Sequence, residues 1–348
     1  MRIGIVTIND NSNYGNRLQN YATQKMLNNL NIDAVSLRND PCTNTKDKYI
    51  LRKIKNIFNK GTYSCYEERK RCFEEFNKNL NLSKNKINPY YKAKGYDYFI
   101  TGSDQVWNPN FERLREVDLL SFAKPEQRIA FSASFGIDKL PEECKGKTKE
   151  ELRKFKAVSV REDKGKEIVE ELTGRKDVQV LVDPTMLLTA EEWNKVSKKP
   201  KQLKTDRYIL NYFLGTLSEK REKEIERIAK DNNCEIINIL DKDSPFYQTG
   251  PSEFLYLEKN AFLICTDSFH SCVFSILFKR PFIVFDREDS NVKMNSRLDT
   301  LLKKFKLENK WYKDKITGEQ LIADYKEAYK ILENEREKAK KFLEDAIK

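Results

Sequence analysis

The stretch AFLICTDSFHSCVFSILFKRPFIVFD, residues 261–286, constrains the fold of this chain more than any other. Residues 261–267 form a short apolar run with β-branched members, 273–278 are apolar at helical spacing, and 281–285 form a second apolar run after a Lys-Arg-Pro stop. That order predicts strand, tight turn, helix and strand, a βαβ unit. The same alternation runs through the first half, with strands over residues 2–8, 32–37, 96–101, 128–134, 157–161 and 178–182. A helix over 16–30 carries Leu18, Tyr21, Ala22, Leu27 and Leu30 on one face. The pattern predicts an α/β fold built on a doubly wound parallel sheet.

The 348 residues are enough for two domains of ordinary size. A lysine-rich segment over 194–206, NKVSKKPKQLKTD, lacks any apolar period and reads as a linker. A second cycle follows, with strands over 208–213 and 235–240 around a helix over 219–232, closed by the unit at 261–286. The expected organisation is an α/β domain over 1–193, a linker over 194–206, a second α/β domain over 207–317, and one or two amphipathic helices over 318–348. Two such domains place a ligand in the cleft between them.

Composition narrows the partners. No run reaches the eighteen apolar residues of a membrane span, and Met1-Arg2-Ile3-Gly4 opens into a strand rather than a signal peptide. Seven cysteines without a C-x-x-C pair, beside a single histidine, supply neither a zinc ligand set nor a disulfide framework, so a reduced cytoplasmic setting is expected. The net charge of +11 suits anionic small substrates, nucleic acid or an anionic membrane face, or is simply solvated surface. With no basic recognition helix or aromatic platform, nucleic acid is not an expected partner. Residues 46–60, KDKYILRKIKNIFNK, form a basic amphipathic stretch that can lie on an anionic bilayer or pack on its own domain.

The one histidine, His270, sits at the strand-to-helix turn of the 261–286 unit together with Asp267, Ser268 and Ser271. At such a junction the helix N-terminus offers unpaired N–H groups to anions, and a histidine can act as general acid, base or phosphate donor. The competing reading is a structural histidine bonded to a backbone carbonyl. After the first strand, Asn9 to Arg17 includes Asn13, Tyr14 and Asn16 and matches neither a dinucleotide fingerprint nor a P-loop. Its amides suit a polyhydroxylated ligand or an anion, or serve only as turn and cap. After the strand at 96–101 comes GSDQVWNP, where Asp104 can orient or deprotonate a hydroxyl and Gln105 and Trp107 offer an amide and an indole to a sugar, with Trp107 as core the alternative. Arg161 ends another strand in a form suited to carboxylate or phosphate, or to an ordinary ion pair.

Taken in order, these motifs resemble the polysaccharide pyruvyl transferase family. The resemblance rests on Asn13-Tyr14-Gly15 with Leu18-Gln19, GSDQVWN at 102–108, SVRE at 159–162, VDPTMLL at 182–188, GPSEF at 250–254, TDSFH at 266–270, KRPFIVF at 279–285 and NSRL at 295–298. It implies two Rossmann-like domains arranged as in GT-B glycosyltransferases. It also implies transfer of an enolpyruvyl-derived group from phosphoenolpyruvate to two sugar hydroxyls, giving a pyruvate ketal, with no further cofactor. In that reading His270 and Asp104 are catalytic, and Arg161, Ser268, Ser271 and Arg297 hold the donor. Asn13, Tyr14, Asn16, Gln105 and Trp107 hold a sugar or lipid-linked oligosaccharide acceptor, at the inner membrane face. Ser271 departs from the glycine that often follows the family's histidine. The alternatives are a GT-B-type glycosyltransferase using a nucleotide sugar and a non-catalytic glycan-binding protein, which would have no use for His270.

Overall fold

The structure, a computed structural model, describes residues 1–39, 60–91, 94–288 and 296–348. The basic amphipathic stretch at 46–60 therefore lies, but for its last residue, outside the described residues. Strands β1 (Arg2–Val6), β2 (Asp33–Arg38), β3 (Leu82–Lys86), β4 (Tyr98–Thr101), β5 (Arg128–Ala133), β6 (Ala157–Val160) and β7 (Gln179–Val180) pair in parallel in the order β3-β2-β1-β4-β5-β6-β7. Sequence order reverses between β1 and β4, whose residues pair from Ile3 with Tyr98 to Val6 with Thr101. That reversal is the switch point of a doubly wound sheet, where the loops leaving two neighbouring strands diverge and leave a crevice.

A second parallel sheet takes β8 (Tyr208–Tyr212), β9 (Glu235–Asn238), β10 (Leu263–Thr266) and β11 (Phe282–Val284) in the order β11-β10-β8-β9. Here the switch point lies between β8 and β10, which pair from Ile209 with Leu263 to Tyr212 with Thr266. The molecule thus has two Rossmann-like halves, as the alternating pattern implied. Strand β3 was not expected. Its sequence LSKNK is polar because it is an exposed edge and carries no alternation to read.

Helix α1 (Tyr14–Asn29) joins the halves at one side of the crevice. Its Tyr14 ring stacks on Phe254 of the second half, with centroids 4.6 Å apart, and on Phe73 of α2 (Lys60–Phe76) at 5.5 Å. Tyr14, Leu18, Ala22, Phe73 and Phe76 share one apolar core with Leu210, Tyr212, Phe254 and Phe274. The segment at 194–206 is irregular but tied down: Leu203 is buried in that core and the Lys198 N–H donates to the Ser252 carbonyl at 3.0 Å.

The amphipathic tail forms one long helix, α3 (Lys326–Ala346 in the chain). At its start Ala328 and Leu332 join the shared core, and the Tyr329 hydroxyl donates to the Leu277 carbonyl at 2.5 Å. At its end Ala339, Phe342, Leu343 and Ala346 cover Ile3, Ile5, Ile129 and Phe131 of the first sheet. Between them Arg336 donates to the carbonyls of Met186 and Leu188, each at 2.8 Å. Among the described residues no helix is long and apolar enough to cross a membrane.

Candidate active site

Both switch points open into one cavity of about 580 Å³. Its first wall comes from the loops after β1 and β4, with Asp10, Ser12, Asn13 and Asn16 from one and Asp104, Gln105 and residues 110–113 from the other. Its second wall comes from the loops after β8, β10 and β11, with Leu214, Ser268, Phe269, His270, Arg287 and Arg297.

His270 lies in the first turn of a short, wholly buried helix, Phe269–Leu277, that follows β10. Ser268 is the N-cap, yet its side chain caps none of the first-turn N–H groups, which leaves them to an anion at the positive end of the helix dipole. The imidazole is 6 % exposed, its Nε2 has no hydrogen-bond partner, and that atom stands 3.7 Å from Oδ2 of Asp183, beyond hydrogen-bond reach. Its other face rests on Gly15 so closely that a Cβ on residue 15 would fall 2.1 Å from Nδ1. The glycine of Asn13-Tyr14-Gly15 is therefore the space the ring occupies.

Asp183 is a buried hub behind the imidazole. Oδ2 accepts from Arg161 Nη1 and from the Ser103 hydroxyl, both at 2.7 Å, and Oδ1 accepts from the Thr185 N–H at 3.0 Å and hydroxyl at 2.7 Å. Burial alone would raise its pKa, but His270, Arg161 and the Thr185 N–H outweigh it and hold the carboxyl well below the usual carboxylate range. An ionised Asp183 is thus maintained beside the one histidine, suited to stabilising an imidazolium.

On the first wall, Asp10 organises its loop by accepting from the Ser12 and Asn13 N–H groups at 3.1 Å and from Asn16 Nδ2 at 2.8 Å. Asn13 caps α1 by accepting from the Asn16 N–H at 3.3 Å. Asp104 has a left-handed φ of 65°, which an aspartate tolerates better than most residues, and Arg161 Nη2 holds its Oδ1 at 3.2 Å. Gln105 Oε1 accepts from Asn108 Nδ2 at 2.7 Å.

Arginines supply the positive charge. Arg297 is 8 % exposed and, among the described residues, has no ion pair; burial first, and then repulsion from Arg161, bring its pKa down to about 10. It remains a guanidinium at neutral pH, nearly dry and directed to the cavity, a ready partner for carboxylate or phosphate. Arg287 Nε donates to Asp267 Oδ2 at 2.9 Å, and the same carboxylate accepts from the Leu214 and Gly215 N–H groups at 2.7 and 2.8 Å. Arg113 lies buried on the other wall, 3.7 Å from Asp118.

Of the residues picked out from sequence, His270, Asp104, Ser268, Arg297, Asn13, Asn16 and Gln105 line the cavity. Four do not. Trp107 is fully buried, its indole N–H donating to the Asp118 carbonyl at 3.2 Å and its ring packed on Phe135 and Phe155, so it is a core residue and no sugar platform. Tyr14 is fully buried between the halves, its hydroxyl bonded to Thr249 and Arg69, because the apolar side of α1 turns to the shared core. Ser271 points away from the cavity and donates to the buried Glu258. Arg161 is spent inside the protein on Asp183 and Asp104, with its guanidinium 4.3 Å from the centroid of the Phe269 ring, so it positions the site rather than meeting a ligand. Asp183, Asp10, Arg287 and Arg113 went unassigned from sequence. Asp183 stood in the quoted motif VDPTMLL, and that was its one available signal.

The sequence profile of the family described as polysaccharide pyruvyl transferase matches residues 13–290, most of the chain and most of the cavity lining. No curated protein matches. Among solved structures, the chain is similar to the Methanocaldococcus jannaschii UDP-GlcNAc 2-epimerase in complex with UDP-GlcNAc and UDP, at 16% identity and a TM-score of 0.47, covering 96% of this chain and 99% of that one. It is also similar to Acinetobacter baumannii MurG, at 9% identity and a TM-score of 0.34, covering 99% of this chain and 98% of that one. With its family profile running from Asn13 through the His270 turn, the chain belongs to the polysaccharide pyruvyl transferases, a family of transferases acting on glycans.

Proposed function

We propose that the protein transfers the enolpyruvyl-derived group of phosphoenolpyruvate to two hydroxyls of a glycan precursor, forming a cyclic pyruvate ketal. The observation that carries this reading is His270, which lines the cavity beside an open helix N-terminus and beside Arg297, a guanidinium with no ion pair among the described residues. A donor with both a carboxylate and a phosphate needs such cations and N–H groups. It also needs an acid, because its methylene carbon must become a methyl group. His270 delivers that proton, with the ionised Asp183 behind it to stabilise the imidazolium. Asp104, across the cavity, accepts the proton of the attacking hydroxyl. The first hydroxyl adds at the central carbon, phosphate leaves with its bonding pair, and the second hydroxyl closes the ring. Of the two hydroxyl protons, one ends on the methyl carbon and one on phosphate, so no oxidant or reductant is required.

In this reading the second half holds the donor and the first half the acceptor, in the cytoplasm, with the glycan carried on a lipid and the basic stretch at 46–60 resting on the anionic membrane face. Incubation with phosphoenolpyruvate and a sugar panel tests it. The expected result is release of inorganic phosphate together with an acceptor mass increased by one pyruvic acid less one water. Protection against thermal unfolding by nucleotide sugars but not by phosphoenolpyruvate would overturn it in favour of a glycosyltransferase.

A further inference from the structure

Six large apolar side chains are exposed among the described residues, and two of them, Phe111 at 49 % and Leu214 at 43 %, line the active cavity from opposite halves. Single exposed apolar residues are ordinary, but this phenyl ring is mounted on a heavily braced support. It ends a 3-10 turn, Pro109–Phe111, capped by Asn108. Asn108 is fully buried; its Oδ1 accepts from the Asn110 N–H at 3.0 Å while its Nδ2 donates to Gln105 at 2.7 Å. On the other side, Arg113 donates to the Asn39 carbonyl at 3.2 Å, and the Leu114 N–H returns to the Val106 carbonyl at 3.1 Å. Beneath the loop, the Asp118 carbonyl accepts from the Trp107 indole, and the Asp118 carboxylate accepts from Arg115 Nε at 2.8 Å. The loop that carries the ring is thus braced before any ligand arrives, so little backbone ordering entropy opposes its use.

We propose that Phe111 is the acceptor platform: a pyranose ring of the glycan stacks its C–H face on the phenyl ring, with Leu214 bounding the other side of the mouth. The proposal rests on the glycan-directed reading of the cavity and assigns the residue that selects the acceptor. The flanking chemistry favours a sugar over an acyl chain. Asn110 and Glu112, on either side of Phe111, line the same cavity and offer an amide and a carboxylate to the hydroxyls at a pyranose rim. An acyl chain would use neither. The same loop carries Asp104, so the residue that accepts the hydroxyl proton and the one that seats the sugar lie seven positions apart on one wall. A small anionic donor has no use for an exposed phenyl face.

The test uses the full chain and saturation-transfer NMR with methyl β-D-glucopyranoside, methyl β-D-galactopyranoside, N-acetylmannosamine and octyl β-D-glucopyranoside. Wild type is expected to hold at least one small sugar with transfer strongest to the protons of one ring face. Phe111→Ala should weaken that binding about tenfold, or about 1.4 kcal/mol, and Phe111→Trp should retain it. The thermal shift given by phosphoenolpyruvate should be the same in all three proteins. Sugar binding unchanged in Phe111→Ala, no small sugar held by wild type, or Phe111-dependent binding of the octyl chain alone would each overturn the assignment. Loss of the phosphoenolpyruvate shift in every protein, with sugar binding still dependent on Phe111, would instead refute the donor and leave the platform standing.

Discussion

Replacing Gly15 by alanine tests whether the imidazole is where the reaction needs it. The three atoms nearest a new Cβ all belong to His270: Nδ1 at 2.1 Å and Cε1 and Cγ at 2.6 Å. Carbon contacts settle near about 3.5–4.0 Å, so the ring would have to move by more than about 1 Å. Such overpacking costs about 1–3 kcal/mol, against which alanine in a helix returns about 0.5–1 kcal/mol. The net destabilisation expected is up to about 2.5 kcal/mol. Turnover should fall about 10²–10⁴-fold, since a displaced imidazole is a misplaced acid. With His270→Ala in the background, the clashing atoms are gone and Gly15→Ala should become neutral or stabilising. Urea unfolding of wild type, both single variants and the double variant reads the coupling between the two positions, expected at about 1–3 kcal/mol. Equal destabilisation by Gly15→Ala with and without the ring, or wild-type turnover in Gly15→Ala, would refute the geometry.

Arg297→Ala should weaken phosphoenolpyruvate binding by about 10–100-fold, the worth of charge-assisted hydrogen bonds, while leaving sugar binding intact; calorimetry with each ligand decides, and equal losses for both contradict the division between the walls. Glu258 is fully buried with Oε2 unbonded, and burial pushes its carboxyl well above the usual carboxylate range. Its folded pKa is therefore raised over the unfolded one, so its stabilising share is complete at acid pH and is lost as pH rises past the unfolded value. That loss runs at up to about 1.4 kcal/mol per pH unit until the folded pKa is reached. Glu258→Gln should accordingly gain stability on wild type between pH 5 and pH 7 in urea titrations, and parallel curves would rule this out. Reversing Lys48, Arg52 and Lys53 to glutamate should weaken sedimentation with phosphatidylserine liposomes at low salt, at about 1 kcal/mol per basic residue. Wild-type protein that ignores such liposomes would remove the membrane from the proposal.

The sheets were legible because buried parallel strands are continuous apolar runs, as in Ile3, Ile5 and Val6 or Leu263 to Thr266, whereas β3 is polar and left no trace. His270 was legible by being alone. Trp107 was misread because an aromatic in a polar motif looks the same whether it faces a sugar or props up the loop that does. Phe111, four residues on, is one of twenty phenylalanines and drew no notice. Arg161 carries a charge that suits a ligand, and only the three-dimensional meeting with Asp104 and Asp183 shows it already satisfied. Asp183 and His270 are separated by 87 positions and lie in different halves, a proximity that no local pattern encodes.

The tail helix gives this molecule an unusual order of assembly. Ile3, Ile5 and Phe131 are among the earlier residues to leave a ribosome, but the apolar face they present is covered by Phe342, Leu343 and Ala346. Until those residues emerge, the nascent first sheet keeps that face only partly covered and some of its long-range contacts unmade, the condition in which chains aggregate or recruit chaperones. Premature termination before residue 339 would therefore damage a sheet synthesised earlier, and the acceptor wall would suffer from a lesion more than two hundred residues downstream of it.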